Sequence, residues 1–75
     1  MQEVLEYIVK NLVSNPDAVQ VEAINQGKTK VFKVSVDGKD LGSVIGRGGV
    51  IANAIRTVVK STANKERIVI KFNEI

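Results

Sequence analysis

Gly46, Gly48 and Gly49 stand around a single arginine in the stretch GSVIGRGGVIANAIRTVVK, and no other feature of the chain restricts its fold as strongly. Glycine loses more backbone freedom on folding than any other residue and costs a helix interior about 1 kcal/mol relative to alanine, so the apolar residues on either side cannot form one continuous helix. They divide into a very short helix through LGSVI, ending at Gly46, and a longer one over residues 50–63. Asp40 is placed to cap the short helix. On the long one, Ala54, Val58, Ile51, Thr62, Ile55, Val59 and Ala52 fill an apolar arc of about 160°, with Arg56, Lys60, Asn53 and Thr57 opposite.

The rest of the chain is legible from its periodicity. Residues 2–13 place Leu5, Ile8 and Leu12 on one helical face, with Glu6 and Lys10 as an i,i+4 ion pair outside. SNPD stops that helix, because Pro16 cannot continue it and Asn15 before it is pushed toward extended geometry. Val19–Asn25 and Thr29–Val36 then alternate as strands, joined by a turn at NQGK; Phe32, Val34 and Val36 share one face while Val31, Lys33 and Ser35 share the other. DGKD breaks the second strand, ANK closes the long helix, and RIVIKF is a β-branched run that reads as a last strand. The order is α-β-β-α-α-β, an α+β chain in which a three-stranded sheet carries helices on one face.

Seventy-five residues allow one domain, taken here as 1–75, near the lower limit for a core without disulfides or metal. The chain has no cysteine and no histidine, which removes thiolate and imidazole metal sites and the commonest general base. No nucleophile–base pair or carboxylate dyad stands at useful spacing, so neither an enzyme nor a cofactor is expected. Glu3 and Glu6 occupy positions where a signal peptide carries basic residues, and no apolar run is long enough to span a bilayer. The expected location is cytoplasmic.

The net charge of +3 is unevenly spread. Residues 1–26 set Lys10 against Glu3, Glu6, Asp17 and Glu22, whereas Lys28, Lys30, Lys33, Lys39, Arg47, Arg56 and Lys60 gather on either side of the glycines with only Asp37 and Asp40 among them. That asymmetry suits a polyanion. Two phosphate-binding glycine motifs fail by counting: none of the three glycines is followed by lysine as a nucleotide-triphosphate loop requires, and a dinucleotide fingerprint would need glycine where Ile51 stands. What remains is GxxG between two helices, in which Gly46 and Gly49 frame Arg47 and Gly48. Such glycines let a nucleic-acid backbone approach the main chain, the next helix turns its positive end toward the phosphates, and arginine adds charge.

The segment VIGRGGVIANAI resembles the signature loop of KH domains, which clamp about four nucleotides of single-stranded nucleic acid. The element order resembles the bacterial, type II, KH arrangement, and with SNPD before the first strand nearly the whole chain is similar to the KhpA family of small bacterial proteins built from one KH domain. The resemblance implies a single-stranded RNA-binding protein that acts as an RNA chaperone or post-transcriptional regulator, with a role in cell-envelope growth and cell shape. It further implies self-association as a homodimer and pairing with a longer KH-containing partner, KhpB.

On this reading Gly46, Arg47, Gly48 and Gly49 hold the phosphate backbone, and Val44, Ile45 and Ile51, with Val36, floor a base-binding groove. Asn53, Arg56 and Lys60 continue the track along the long helix, and Lys39 contributes from near the short one. Each has a plainer alternative: a tight turn with an idle arginine, a solvated helix face, or ordinary core. Gly48 departs mildly from KH loops that carry larger polar residues there. Ala52 and Val59, at the margin of the wide apolar arc, are the candidates for self-association. The rival function is a protein-interaction scaffold whose loop no longer binds RNA.

Overall fold

The computed structural model describes residues 2–62 and 67–75, so the expected helix closure at ANK lies outside the described residues. Helix α1 spans Gln2–Lys10 and buries Leu5 and Val9. It carries the expected Glu6–Lys10 ion pair at 2.8 Å, an exposed contact worth about 0.3–0.5 kcal/mol. It stops three residues short of the 2–13 span because Asn11 competes for its carbonyls. The Asn11 side-chain amide donates to the Tyr7 carbonyl at 2.7 Å, its backbone N–H is shared between Tyr7 and Ile8 at 3.2 Å each, and Leu12 N–H bonds Val9 at 2.9 Å. This tightened i→i+3 pattern ends the helix.

Strand β1 is Gln20–Gln26, one residue later than its alternation suggested, and β2 is Thr29–Val36 as expected. Helix α2 covers Leu41–Ile45, α3 covers Val50–Thr62, and β3 is Arg67–Glu74. The strands lie in the order β1-β2-β3, with β1 antiparallel and β3 parallel to β2. Parallel neighbours need a long crossover, and α2, the glycine turn and α3 together provide it. One face of the sheet supplies Phe32, Val34, Val36, Ile68 and Ile70 to the core, where they meet Leu5 and Val9 of α1, Val44 of α2, and Ile55 and Val59 of α3. Each such buried side chain contributes about 1.5–3 kcal/mol, so this single layer of contacts dominates the stability of the domain.

Asp40 does not cap α2. It lies in a short 3-10 turn, Gly38–Asp40, and its buried carboxylate reaches across to the segment between α1 and β1. Ser14 donates to Oδ1 from its backbone N–H at 3.0 Å and its hydroxyl at 2.8 Å, and the Asn15 N–H donates to Oδ2 at 3.1 Å. Asp37 supports the same junction, accepting from Lys39 N–H at 3.2 Å and from the Asn15 side-chain amide at 3.3 Å. The backbone bond from Ser14 does most to hold the Asp40 carboxyl below its ordinary range, helped by the Ser14 hydroxyl, Asn15 and nearby Lys39 and opposed by burial.

A carboxyl with a depressed folded-state pKa stabilises the fold above its unfolded value and loses that contribution as pH falls through the folded one. Asp40→Asn should therefore unfold at lower temperature than the parent at pH 7, with the gap narrowing as pH falls below the ordinary aspartate value of about 3.9 and closing once the folded carboxyl is protonated. Thermal unfolding followed by circular dichroism checks this; a gap independent of pH would contradict the assignment.

Candidate functional site

The glycine turn is built from backbone conformations that side chains resist. Gly46 ends α2: its N–H donates to the Gly42 carbonyl at 2.9 Å and the chain swings to φ 76°, ψ 168°. That region is essentially restricted to glycine. A β-carbon at Gly46 would also lie 2.7 Å from Cγ1 of Ile51, so conformation and packing both require its absence. Gly48, at φ 65° and ψ 14°, and Gly49, at φ 80°, turn the chain left-handed as well, but nothing lies within 4 Å of where their β-carbons would stand. Gly49 N–H bonds the Gly46 carbonyl at 3.1 Å and Val50 N–H bonds that of Arg47, which locks the turn onto the start of α3. The turn by itself thus uses all three glycines. The open space at positions 48 and 49 is a separate property, and it exposes main chain beside the solvent-exposed Arg47 at the positive end of a thirteen-residue helix.

The remaining expected site residues do not all converge on this turn. Val44 is 0% exposed and Val36 1%, so both belong to the core and neither can floor a groove. Ile45 and Ile51 are half-buried on either side of the turn, with Ile51 pressed toward Gly46. Asn53 and Arg56 are brought together, since Arg56 Nη1 donates to Asn53 Oδ1 at 3.1 Å. Arg56 is not a free cation of the track: its Nη2 donates to the Ile70 carbonyl at 3.3 Å and its guanidinium lies 5.5 Å from the Phe72 ring centroid, tying α3 to the outer edge of β3. Lys60 is exposed but ten residues beyond Val50, about 15 Å along the helix. Lys39 is exposed at the opposite end of α2 from the glycines.

The expected self-association pair is corrected as well. Ala52 is 2% and Val59 0% exposed, because that margin of the arc faces the domain's own interior. The uncovered margin is the other one, where Val50 and Val58 are 63% and 49% exposed. With Ala54, Ile51 and Ile55 they form one wall of an apolar groove of about 470 Å³, whose other wall is Ile8 of α1 and Leu12 just beyond its end. Sequence reasoning missed Phe72, for which no local signal exists: only the pairing of β3 with β2 carries it beside Arg56. Among the described residues no three His, Cys, Asp or Glu side chains cluster as metal ligands, and no helix is long and apolar enough to cross a membrane.

Comparison with known proteins points one way. A protein-family model described as "KhpA/KhpB, KH domain" matches residues 2–73. The chain is similar to the RNA-binding protein KhpA of Caldanaerobacter subterraneus subsp. tengcongensis, with 46% identity over 89% of each chain. It is similar to proteins of the same name from Clostridium acetobutylicum, with 44% identity over 96% of this chain and 99% of the relative, and from Chlamydia pneumoniae, with 37% identity over 91% and 87%. No solved structure gives a significant match.

Replacing Gly46 by alanine should cost about 1–3 kcal/mol from backbone conformation alone, with the Ile51 contact adding to it. Gly48→Ala, which meets nothing, should cost about 1–2 kcal/mol. Urea denaturation of the two variants checks the order, and equal or inverted losses would contradict this account of the turn.

Proposed function

The chain belongs to the KhpA/KhpB KH-domain family, and from that premise we propose that it binds single-stranded RNA through the turn at Gly46–Gly49. The fold is that of a small type II KH domain, and the family is non-enzymatic. Relatives named as RNA-binding proteins support RNA as the ligand. The observation that carries the reading is the open space over Gly48 and Gly49: a phosphate can approach the main chain there, facing the positive end of α3, with Arg47 beside it.

Phosphates then supply most of the affinity, and the half-exposed edges of Ile45 and Ile51 offer apolar surface to bases. Asn53 and Arg56 line the way along α3, with Arg56 acting first as the clamp on β3; Lys60 and Lys39 add long-range charge. Action as an RNA chaperone or post-transcriptional regulator in the cytoplasm, with consequences for cell envelope and shape, is the cellular role we attach to this activity. The whole of residues 1–75 is taken as one domain.

A second reading, association between KH domains, is favoured by the apolar groove between α1 and α3. A second copy of the chain or KhpB would cover Val50, Ala54 and Val58 there. The exposed main chain of the turn lies outside this groove, so phosphate contacts there leave it open, while Ile51 borders both surfaces.

If about three to four phosphates are neutralised, the logarithm of the RNA association constant should fall against log salt with a slope of about −2 to −3. Arg47→Asp with Gly48→Asp should leave a folded protein with RNA affinity reduced roughly tenfold or more, about 1.4 kcal/mol. Fluorescence anisotropy with a labelled oligoribonucleotide reads both, and an unchanged affinity would refute the assigned site. For the groove, Val58→Glu should shift any dimer toward monomer in light scattering without altering the secondary structure.

A further inference from the structure

Alternation along β2 and β3 leaves one side of the sheet without a covering layer. Phe32, Val34, Ile68 and Ile70 turn toward the helices, which sends Lys33, Arg67, Val69 and Lys71 to the opposite side, where all four are exposed. In the parallel register Lys33 stands directly beside Lys71. Neighbouring strands are about 4.8 Å apart, and like charges side by side on one sheet face destabilise it. Glu22 faces Lys33 from β1 without forming an ion pair with it, and among the described residues no carboxylate pairs with Lys71 or Arg67. Lys33, Lys71 and Arg67 against Glu22 thus leave this face an excess of positive charge. Arg67 lies four residues before Lys71 on the same side, about 13 Å away, with Val69 exposed between them beside Val31 and Ile24.

This face is continuous with the front of the domain. Arg56 reaches the outer edge of β3 through the Ile70 carbonyl and the Phe72 ring, and those two residues flank Lys71, whose side chain leaves the strand on the far side. Since β3 is an edge strand, only its own thickness separates Arg56 from Lys71. We propose that the open face of the sheet is a second phosphate-binding surface, on which Lys33, Lys71 and Arg67 hold an RNA strand that has passed along α3 and crossed the edge of β3. The excess of positive charge, unfavourable between Lys33 and Lys71 in the free domain, becomes favourable once a polyanion supplies counter-charge. The proposal rests on the reading of this chain as an RNA-binding protein, and extends the footprint beyond the few nucleotides that the turn can hold.

The test compares oligoribonucleotides of about five and about twenty nucleotides, the shorter one filling the turn alone. The parent should bind the longer one more tightly. Combined Lys33→Gln, Arg67→Gln and Lys71→Gln should leave the shorter affinity unchanged, weaken the longer roughly tenfold, and reduce its salt slope by about 2. Lys33→Arg with Lys71→Arg should restore parental behaviour, which separates charge from disturbed folding. Gly48→Asp tests the turn independently: if it alters neither oligonucleotide while the glutamine variant weakens the longer, the turn reading fails and the sheet surface stands. The sheet proposal is overturned if the parent gains nothing from length, if the glutamine variant binds both as the parent does, or if the face takes a polyglutamate peptide with RNA binding untouched.

Discussion

The parallel pairing of β2 with β3 is the constraint on which the remaining architecture depends. Two parallel strands cannot be joined by a hairpin, so the chain must leave the end of β2, cross the sheet and return at the start of β3. Here two helices joined by a sharp corner make that crossover, and both pack over Phe32, Val34 and Ile70. The glycines form that corner. The same residues that allow the crossover to close also leave main chain uncovered at the head of α3, and a structural necessity thereby creates a surface for anions.

The corner is held from two sides. Behind it, Ile51 packs so closely on Gly46 that no side chain fits between them, which fixes the angle between α2 and α3. At the far end of α2, the buried Asp40 carboxylate gathers Ser14 and Asn15, so the short helix is anchored to the connection between α1 and β1 rather than to its own first turn. Arg56 does the equivalent for α3 by spanning to β3. These polar ties rigidify a five-residue helix that has too few backbone hydrogen bonds to be stable alone.

Much of this was legible in the sequence because the signals are local. The alternation in TKVFKVSV gave β2 its bounds and its two faces, and the glycine spacing located the corner. What escaped was set by distant neighbours. Asp40 reads as a helix cap because its partners stand 25 and 26 residues away, and Phe72 reads as a scattered aromatic until β3 is paired. The wheel of α3 gave a wide apolar arc but not which margin the domain covers. Since α1 ends at Lys10, the Val50 and Val58 side is left open while Ala52 and Val59 are enclosed, the reverse of what the arc alone suggested. Val44 was misread for the same reason, as one turn of helix does not reveal which of its apolar residues the sheet will claim.

The register of the sheet also dictates an order of assembly. The β1–β2 hairpin joins residues close in sequence and can form early, whereas Thr29 meets Arg67 only after the intervening crossover has been drawn into a loop, at an entropic cost that precedes any reward. Until the segment Arg67–Glu74 has left the ribosome, Phe32 and Val34 lack their neighbours Ile70 and Phe72, and β2 presents an edge of unpaired N–H and C=O groups. The last strand is therefore the latch of the folding reaction, and its delay during synthesis is the interval in which this small domain is most exposed to misassembly.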